Sequence, residues 1–485
     1  MSITKDIQPP IEDNPPIKEA GEDVPGPTAS QGTKLSGLRL EAVFTVLCLA
    51  VFLVALVTER RVLKDNTIIS TAIPRITDQF KALEDIGWYG SSYLLVTCMF
   101  QLVFGKLFGY FPIKWVFMTA IIIFEIGSAV CGAAPTSDAF IHFLSKSSFY
   151  INLPIGAVVI FVLLLFLHVP TGVHTEISSS KTLLQHMDPL GIITFLPAIV
   201  CLLLALQWGG TTYPWSNGRI IALFVVAGVL LIAFLVIQIK RQENAMVPPR
   251  VITMRPLAFS SLFMVLFAGA YFTIVYYLPI WFQAIKDASA VDSGIMCLPL
   301  MLSMVIFSFI TGGGVTATGN SVPFFYFATI FATVGAGLLT TFEVDTGHPK
   351  WIGFQVLLGS GVGMGIQLPI IAAQAALPAA DIPVGTAIVT FCQTFGGAIF
   401  VSVARAVCES IAPGIVQEVG ATNLDAVIDA RHIEAVKVIY NDALVSTWYL
   451  AVALFGVAVF GAAGMSIGRL TTIHIALDII NPKQQ

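Results

Sequence analysis

An all-α protein that crosses a membrane many times is the fold class this sequence predicts, and three observations predict it. Hydrophobic residues make up 56% of the chain and charged residues only 11%, against about 25% charged in a soluble domain. The mean hydropathy is +0.85. The apolar residues also come in continuous runs of roughly 20, the length that crosses about 30 Å of hydrocarbon at 1.5 Å per residue. Transmembrane barrel strands would alternate over about 10 residues, so helices are predicted.

Taken in order, residues 1–38 mix Pro, Gly, Asp, Glu and Lys with almost no aromatics. They are expected to form a disordered cytosolic tail, and with no apolar core before Leu40 no signal peptide is expected. A first apolar segment, 40–57, is stopped by 58–65, where five of eight residues carry charge. Residues 88–106 and 114–134 then read as helix, turn, helix, with Gly, Pro and two lysines in the turn 105–114. Residues 149–169 add a fourth span. Two more, 189–208 and 219–238, are joined by the wet loop GGTTYPWSN.

The basic residues Lys240, Arg241, Arg250 and Arg255 separate these from six further spans. Those six fall at about 257–282, 294–314, 323–342, 350–371, 385–405 and 445–466. The predicted organisation is therefore twelve spans. Four build an N-terminal bundle over 39–169, two are intercalated over 189–238, and six build a C-terminal bundle over 257–466, followed by a cytosolic tail at 467–485. An even number of spans puts both termini on one side, and the 240–255 basic cluster places that side in the cytosol.

Several function classes find no support. A net charge of −4 gives no reason to expect nucleic-acid binding. The seven cysteines are scattered without a C-x-x-C pair and read as small buried hydrophobes. The seven histidines form no H-x-x-x-H box, and the G-x-S-x-G at 464–468 (GMSIG) ends an apolar run of helix length and follows no strand, so neither a metal enzyme nor a serine hydrolase is indicated. No metal, no cofactor and no enzymatic activity are expected.

Polar residues inside spans carry the functional candidates. Glu125 (IIIFEIGSAV) is the carboxylate that falls near the middle of a span. It is read as a protonatable coupling group facing the bundle interior, against the plainer reading of a hydrogen-bonded structural Glu. Gln367, Gln374 and Gln393 are amides within or at the ends of spans. Such groups either join helices or point into a polar cavity, and the cavity is preferred for Gln393, helix joining for Gln101. Tyr271, Tyr276 and Tyr277 share a span with Trp281 and offer a cargo-facing aromatic wall, although an interfacial belt accounts for Trp281 as well. Gly359, Gly361, Gly363 and Gly365 (GSGVGMG) follow no strand and precede no Lys-Ser/Thr, so they read as a helix-packing face and not a nucleotide loop.

Beyond these, DNTIISTAIPRIT (65–77), DIGWYGSSYLL (85–95), FQLVFGKLFGYFPIKWVF (100–117), FEIGSAVCGAAP (124–135) and FYINLPIGAV (149–158) resemble segments of fungal major facilitator transporters. So do TTFEVDTGHPKWIGFQVLLGSGVGMGIQLPIIAAQ (340–374) and GTAIVTFCQTFGGAIFVSV (385–403). The nearest group is the fourteen-span drug:proton antiporters that export mycotoxins and drugs, including the HC-toxin and aflatoxin-cluster carriers. The resemblance covers about residues 40–470. It implies the major facilitator fold, with two six-helix bundles, two helices between them and a central cavity worked by alternating access. It also makes Asp65 a second candidate for proton coupling.

The chain departs from the family pattern twice. Residues 57–64 form a charged insert in the first helix, and 142–148 (HFLSKSS) stand where the family has about two further spans. Those two carry the R-x-x-x-G-x-G run and the G-P-x-x-G-G antiporter motif. Fourteen spans less two gives the twelve read from hydropathy. In the turn between the family's second and third helices, Gly105, Lys106 and Lys114 are kept, while Gly109 stands where the superfamily has an acid. Positive-inside anchoring is therefore preferred to a gating salt bridge there.

The resemblance implies a monomeric, multi-pass plasma-membrane transporter, coupling protons to the efflux of a small hydrophobic metabolite, toxin or drug. Two alternatives stay open: a siderophore transporter of the same superfamily, and a non-functional or misannotated copy.

Overall fold

The computed structural model describes residues 86–133, 187–210, 213–412 and 433–480, together with 160, 161 and 164. The tail 1–38, the span 40–57, the insert 57–64, Asp65 and most of the span 149–169 lie outside the described residues. Among them the long helices are α1 (Ile86–Tyr110), α2 (Ile113–Ala133), α3 (Pro189–Trp208), α4 (Gly218–Arg241), α5 (Arg255–Ile285), α6 (Leu298–Thr318), α7 (Val322–Leu339), α8 (His348–Gly365), α9 (Leu368–Ala376), α10 (Ile382–Ile411) and α11 (Ile433–Ile480). Eight segments of this set are long and apolar enough to cross a membrane.

Proline marks most of the helix starts. It stands in the first turn of α3 and of α5 through α10, where its missing N–H costs no intrahelical bond. Proline also explains where the predicted boundaries move. The turn expected over 105–114 shrinks to Phe111 and Pro112, because the helix continues through the apolar 107–110 until Pro112. The span expected over 350–371 breaks into α8 and α9 at Ile366 and Gln367, since the ring of Pro369 would meet the carbonyl of Gly365, the last residue of α8. At the C-terminal side, α11 runs on to Ile480, where a tail had been expected from 467.

The second half closes on itself around α5, which packs along α10 and α11, while α8 wedges between α6 and α7. The glycines of α8 allow that wedge. A Cβ at Gly363 would meet the backbone of Met304 in α6, and one at Gly361 the backbone of Ala332 in α7. The core between these helices is aromatic. Phe263 lies 4.8 Å from Phe267 and 5.0 Å from Phe325, and Phe267 lies 4.9 Å from Phe455, ring centre to ring centre.

Trp281 belongs to this core and not to an interfacial belt. It is fully buried, its indole N–H donates to Asn441 Oδ1 at 2.8 Å, and it packs on Phe342 and Trp448. Outward faces are apolar too. On α4, Ile221, Val225, Val229, Ile232, Val236 and Ile239 are all exposed at helical spacing, a stripe that only lipid or another apolar surface can cover.

The α3–α4 hairpin packs internally and also against α1 and α10, and α1 lies along α10. Phe195 of α3 is buried between Phe234 of α4 and Phe391 of α10, at 5.0 and 5.5 Å. The hairpin expected to link the two halves thus stands directly against both of them.

Candidate functional site

Polar groups gather at three levels along α10. From its second turn to its middle it carries Thr386, Thr390, Gln393 and Thr394, spaced to share one face of the helix. The hydroxyls of Thr390 and Thr394 donate back to the carbonyls of Thr386 and Thr390, which satisfies them without a partner helix. Gln393 is half-buried, and its amide makes no hydrogen bond among the described residues. Gln374 of α9, exposed, donates to Thr386 Oγ1 at 3.3 Å.

Around this face stand Cys98 of α1, within reach of Thr394, and Ser261 of α5, whose buried hydroxyl lies within reach of the Cys392 thiol. Phe391, Phe395 and the half-buried Tyr271 pack on the same apolar cluster. Gln367, expected nearby, is exposed at the break between α8 and α9. The arrangement offers an amide and a few hydroxyls within an otherwise apolar and aromatic wall, the chemistry that holds a mostly hydrophobic small molecule.

At one end of α10 the chain builds a carboxylate node. Asp188 caps α3 with left-handed backbone (φ 51°) and is completely buried. The N–H of Gly191 donates to it at 3.0 Å, Gln238 Nε2 at 2.9 Å and the N–H of Met246 at 3.0 Å, with Arg241 Nε 3.6 Å away. Gln238 Oε1 in turn accepts from the N–H of Val247 at 2.8 Å. Beside the node, Arg250 joins Glu243 and Asp381, each at 3.0 Å, tying the basic segment to the start of α10.

The turn residues of the α1–α2 pair meet this end. Gly105 lies against Ala387 and Pro383 of α10. Lys106, expected as a water-facing anchor, is 3% exposed, in the field of Asp188, Glu243 and Asp381. Gly109 faces open space, and Lys114 donates to the carbonyl of Leu164 at 2.9 Å.

At the other end of α10, Arg405 Nε donates to Glu409 Oε1 at 3.0 Å. The guanidinium acts electrostatically on Tyr276 and Tyr277 of α5, so Tyr276, a cargo candidate by sequence, is here a neighbour of a half-buried cation. Sequence reasoning missed this pair because the span was closed at 405. The R-x-x-x-E spacing inside a continuing apolar run is the signal that would have found it. It missed Asp188 as well, although Asp before Pro at a helix start is a capping signature. Glu125 lies in α2, but its side chain, like Asp65, is outside the described residues.

No protein-family model matches the chain. It is 79% identical over 434 residues to the acetylaranotin efflux transporter ataA of Aspergillus terreus, covering 84% of this chain and 96% of that one. It is 48% identical over 500 residues to the efflux pump MFS1 of Arthroderma benhamiae, covering 89% and 92%. The efflux pump aflT of Aspergillus parasiticus is 39% identical over 507 residues, covering 90% and 97%. The last two alignments are longer than the 485-residue chain, so those relatives carry residues within the matched region that have no counterpart here. Among solved structures, a bacterial homologue of the human lysosomal transporter Spinster, inward-facing and occupied, aligns at TM-score 0.41 and 14% identity, over 88% of this chain and 97% of that one. With relatives at 39% to 79% identity matched over nearly their whole length, the chain belongs to the major facilitator superfamily, among the fungal efflux transporters.

Proposed function

We propose that this transporter carries a hydrophobic secondary metabolite out of the cell in exchange for protons, as a monomer in the plasma membrane with both termini in the cytosol. The observation that carries the cargo class is the 79% identity to a transporter named for acetylaranotin, which makes acetylaranotin the first compound to test. The half-buried amide of Gln393 and the aromatic groups Phe391, Phe395 and Tyr271 support a cargo site on the middle of α10. Gln367 and Gln374 would border its entrance.

A proton gradient drives such a cycle only if the two access states bind protons with different affinity. Glu125 and Asp65 remain the sequence candidates for that difference. Nothing in the relatives' names favours a siderophore cargo. The alignments longer than this chain do favour keeping a second reading, that the chain lacks two spans its relatives use.

Both readings meet in one experiment. A strain lacking its acetylaranotin exporter is complemented with this chain, with the chain carrying two family spans restored after residue 141, and with Gln393→Ala in each. Export by this chain at the level of the restored one, reduced about tenfold or more by Gln393→Ala as for loss of a buried polar contact, is the expected result. Export only from the restored chain would assign function to the longer form. No export from either would overturn the cargo assignment.

A further inference from the structure

We propose that Glu409, held by Arg405 at the junction of α10 with α5, α11 and the α3–α4 loop, is a proton-linked positioning residue of the transport cycle. The inference rests on the proton-coupled reading above. It starts from depth. Counting from Asp381 at about 1.5 Å per residue, Glu409 lies about 42 Å along α10, beyond the roughly 30 Å of hydrocarbon. It therefore sits at the face opposite the Asp188 node, where water can deliver a proton, yet its side chain is only 15% exposed.

A helix-end ion pair four residues apart is ordinarily a minor structural contact. The surroundings here are not those of a solvated helix end. Arg405 acts on Tyr276 and Tyr277 from α5, and Tyr440 of α11 lies in the same cluster beside Cys408. These hydroxyls offer Arg405 a second set of partners inside the protein. On its other side Glu409 meets the loop that closes the α3–α4 hairpin. Gly210 has φ +84° there, and a Cβ on it would stand 3.3 Å from Glu409 Oε2 and 2.8 Å from Trp215 Nε1. The carboxylate is thus bound to α10, through its pair, and lies beside the hairpin loop.

The step is a simple proton exchange. Water at that face gives H⁺ to a Glu409 carboxylate oxygen, the charge-assisted contact from Arg405 is lost, and the guanidinium turns to the Tyr276 and Tyr277 hydroxyls. On reversal the proton returns to water and the pair reforms. Ionised Glu409 keeps Arg405 beside the hairpin loop, and protonated Glu409 releases it toward α5.

The test uses the full chain in proteoliposomes with acetylaranotin as cargo. Transport is measured while pH is varied on one face and clamped on the other. Wild type is expected to respond about fivefold or more. Glu409→Gln, fixed in the neutral form, should flatten that response on the Glu409 face while leaving the KM for cargo unchanged. Glu409→Asp, which keeps the charge on a shorter stem, should restore the response with a displaced midpoint. A wild-type pH profile in Glu409→Gln would overturn the proposal alone. A wild type indifferent to pH on both faces would overturn it together with the proton-coupled reading. Should Glu409→Gln fail to fold, an undisplaced midpoint in Glu409→Asp would overturn it equally.

Discussion

Asp188 and Glu409 are both acids at the ends of apolar helices, one at each end of the molecule, and they are held in opposite ways. Asp188 is completely buried and accepts from Gly191, Gln238 and Met246 with Arg241 alongside. Its partners come from α3, α4 and the segment after α4. Glu409 is bound by Arg405 on its own helix and touches its surroundings at the edge of a loop. A carboxylate whose acceptor sites are filled from three segments is a fixed strut, because changing its charge would strand several donors at once. One that is held by a single side chain, at the edge of a loop and within reach of water, can change charge without breaking the fold. The two residues divide the labour of the α3–α4 hairpin between an anchored end and an end that can release.

The largest effect should come from removing the strut. Asp188→Ala leaves three donors without this acceptor and removes the carboxylate 3.6 Å from Arg241 Nε. Each buried hydrogen-bonding group left unmade costs about 1–3 kcal/mol, and losing one member of a buried charged set costs about 3–5 kcal/mol. The expected outcome is a markedly lower melting temperature in detergent and poor recovery from membranes. A melting temperature within about 2 °C of wild type would show that the node is not a strut. Gln238→Leu comes next. It removes one donor to Asp188 and the acceptor for the N–H of Val247, so a loss of about 1–3 kcal/mol is expected, and equality with Asp188→Ala would mean the amide carries the node.

Glu409→Gln should differ in kind. Its pair is partly exposed, with Arg405 at 31% and Glu409 at 15%, and such pairs contribute about 0–1 kcal/mol. Thermal stability should therefore stay close to wild type while the pH response of transport flattens. A fall in stability as large as that of Asp188→Ala would erase the contrast between the two ends.

Much of this architecture is legible in the sequence, for a physical reason. Lipid demands continuous apolar runs with their backbone bonds made internally, so spans announce themselves by length and composition alone. Helix ends were less legible. Lys106 and Arg405 closed their predicted spans because charges end an apolar window, whereas in the fold both lie inside continuing helices. Tertiary pairing was not legible at all. Asp188 and Gln238 are 50 residues apart, and Trp281 finds Asn441 across 160, so no local pattern separates a core tryptophan from a membrane-belt one. Of the site, Gln393 is half-buried on the threonine-bearing face of α10. Tyr276 is a cargo candidate by sequence, yet its neighbour in the fold is an arginine 129 positions away, which the sequence had no means of showing.

The smallest effect is expected beside the strut, at Arg250. It bridges Glu243 and Asp381, yet it is 46% exposed and Glu243 64%, so solvent and salt screen most of the attraction, the Debye length being about 8 Å at physiological ionic strength. Asp381 and then Glu243 hold the guanidinium even further above its ordinary range, so it is charged at every accessible pH and its contribution does not vary near neutrality. Arg250→Ala should therefore cost about 1 kcal/mol or less, shrinking as salt rises. Asp381→Asn should cost more than Arg250→Ala despite belonging to the same bridge. Asp381 is also among the carboxylates around buried Lys106, and a buried cation cannot exchange a lost partner for water. Equal losses for the two variants, measured as melting temperatures across a salt series, would mean Lys106 draws its compensation from Asp188 and Glu243 alone, and that the anchored end of the hairpin is independent of α10.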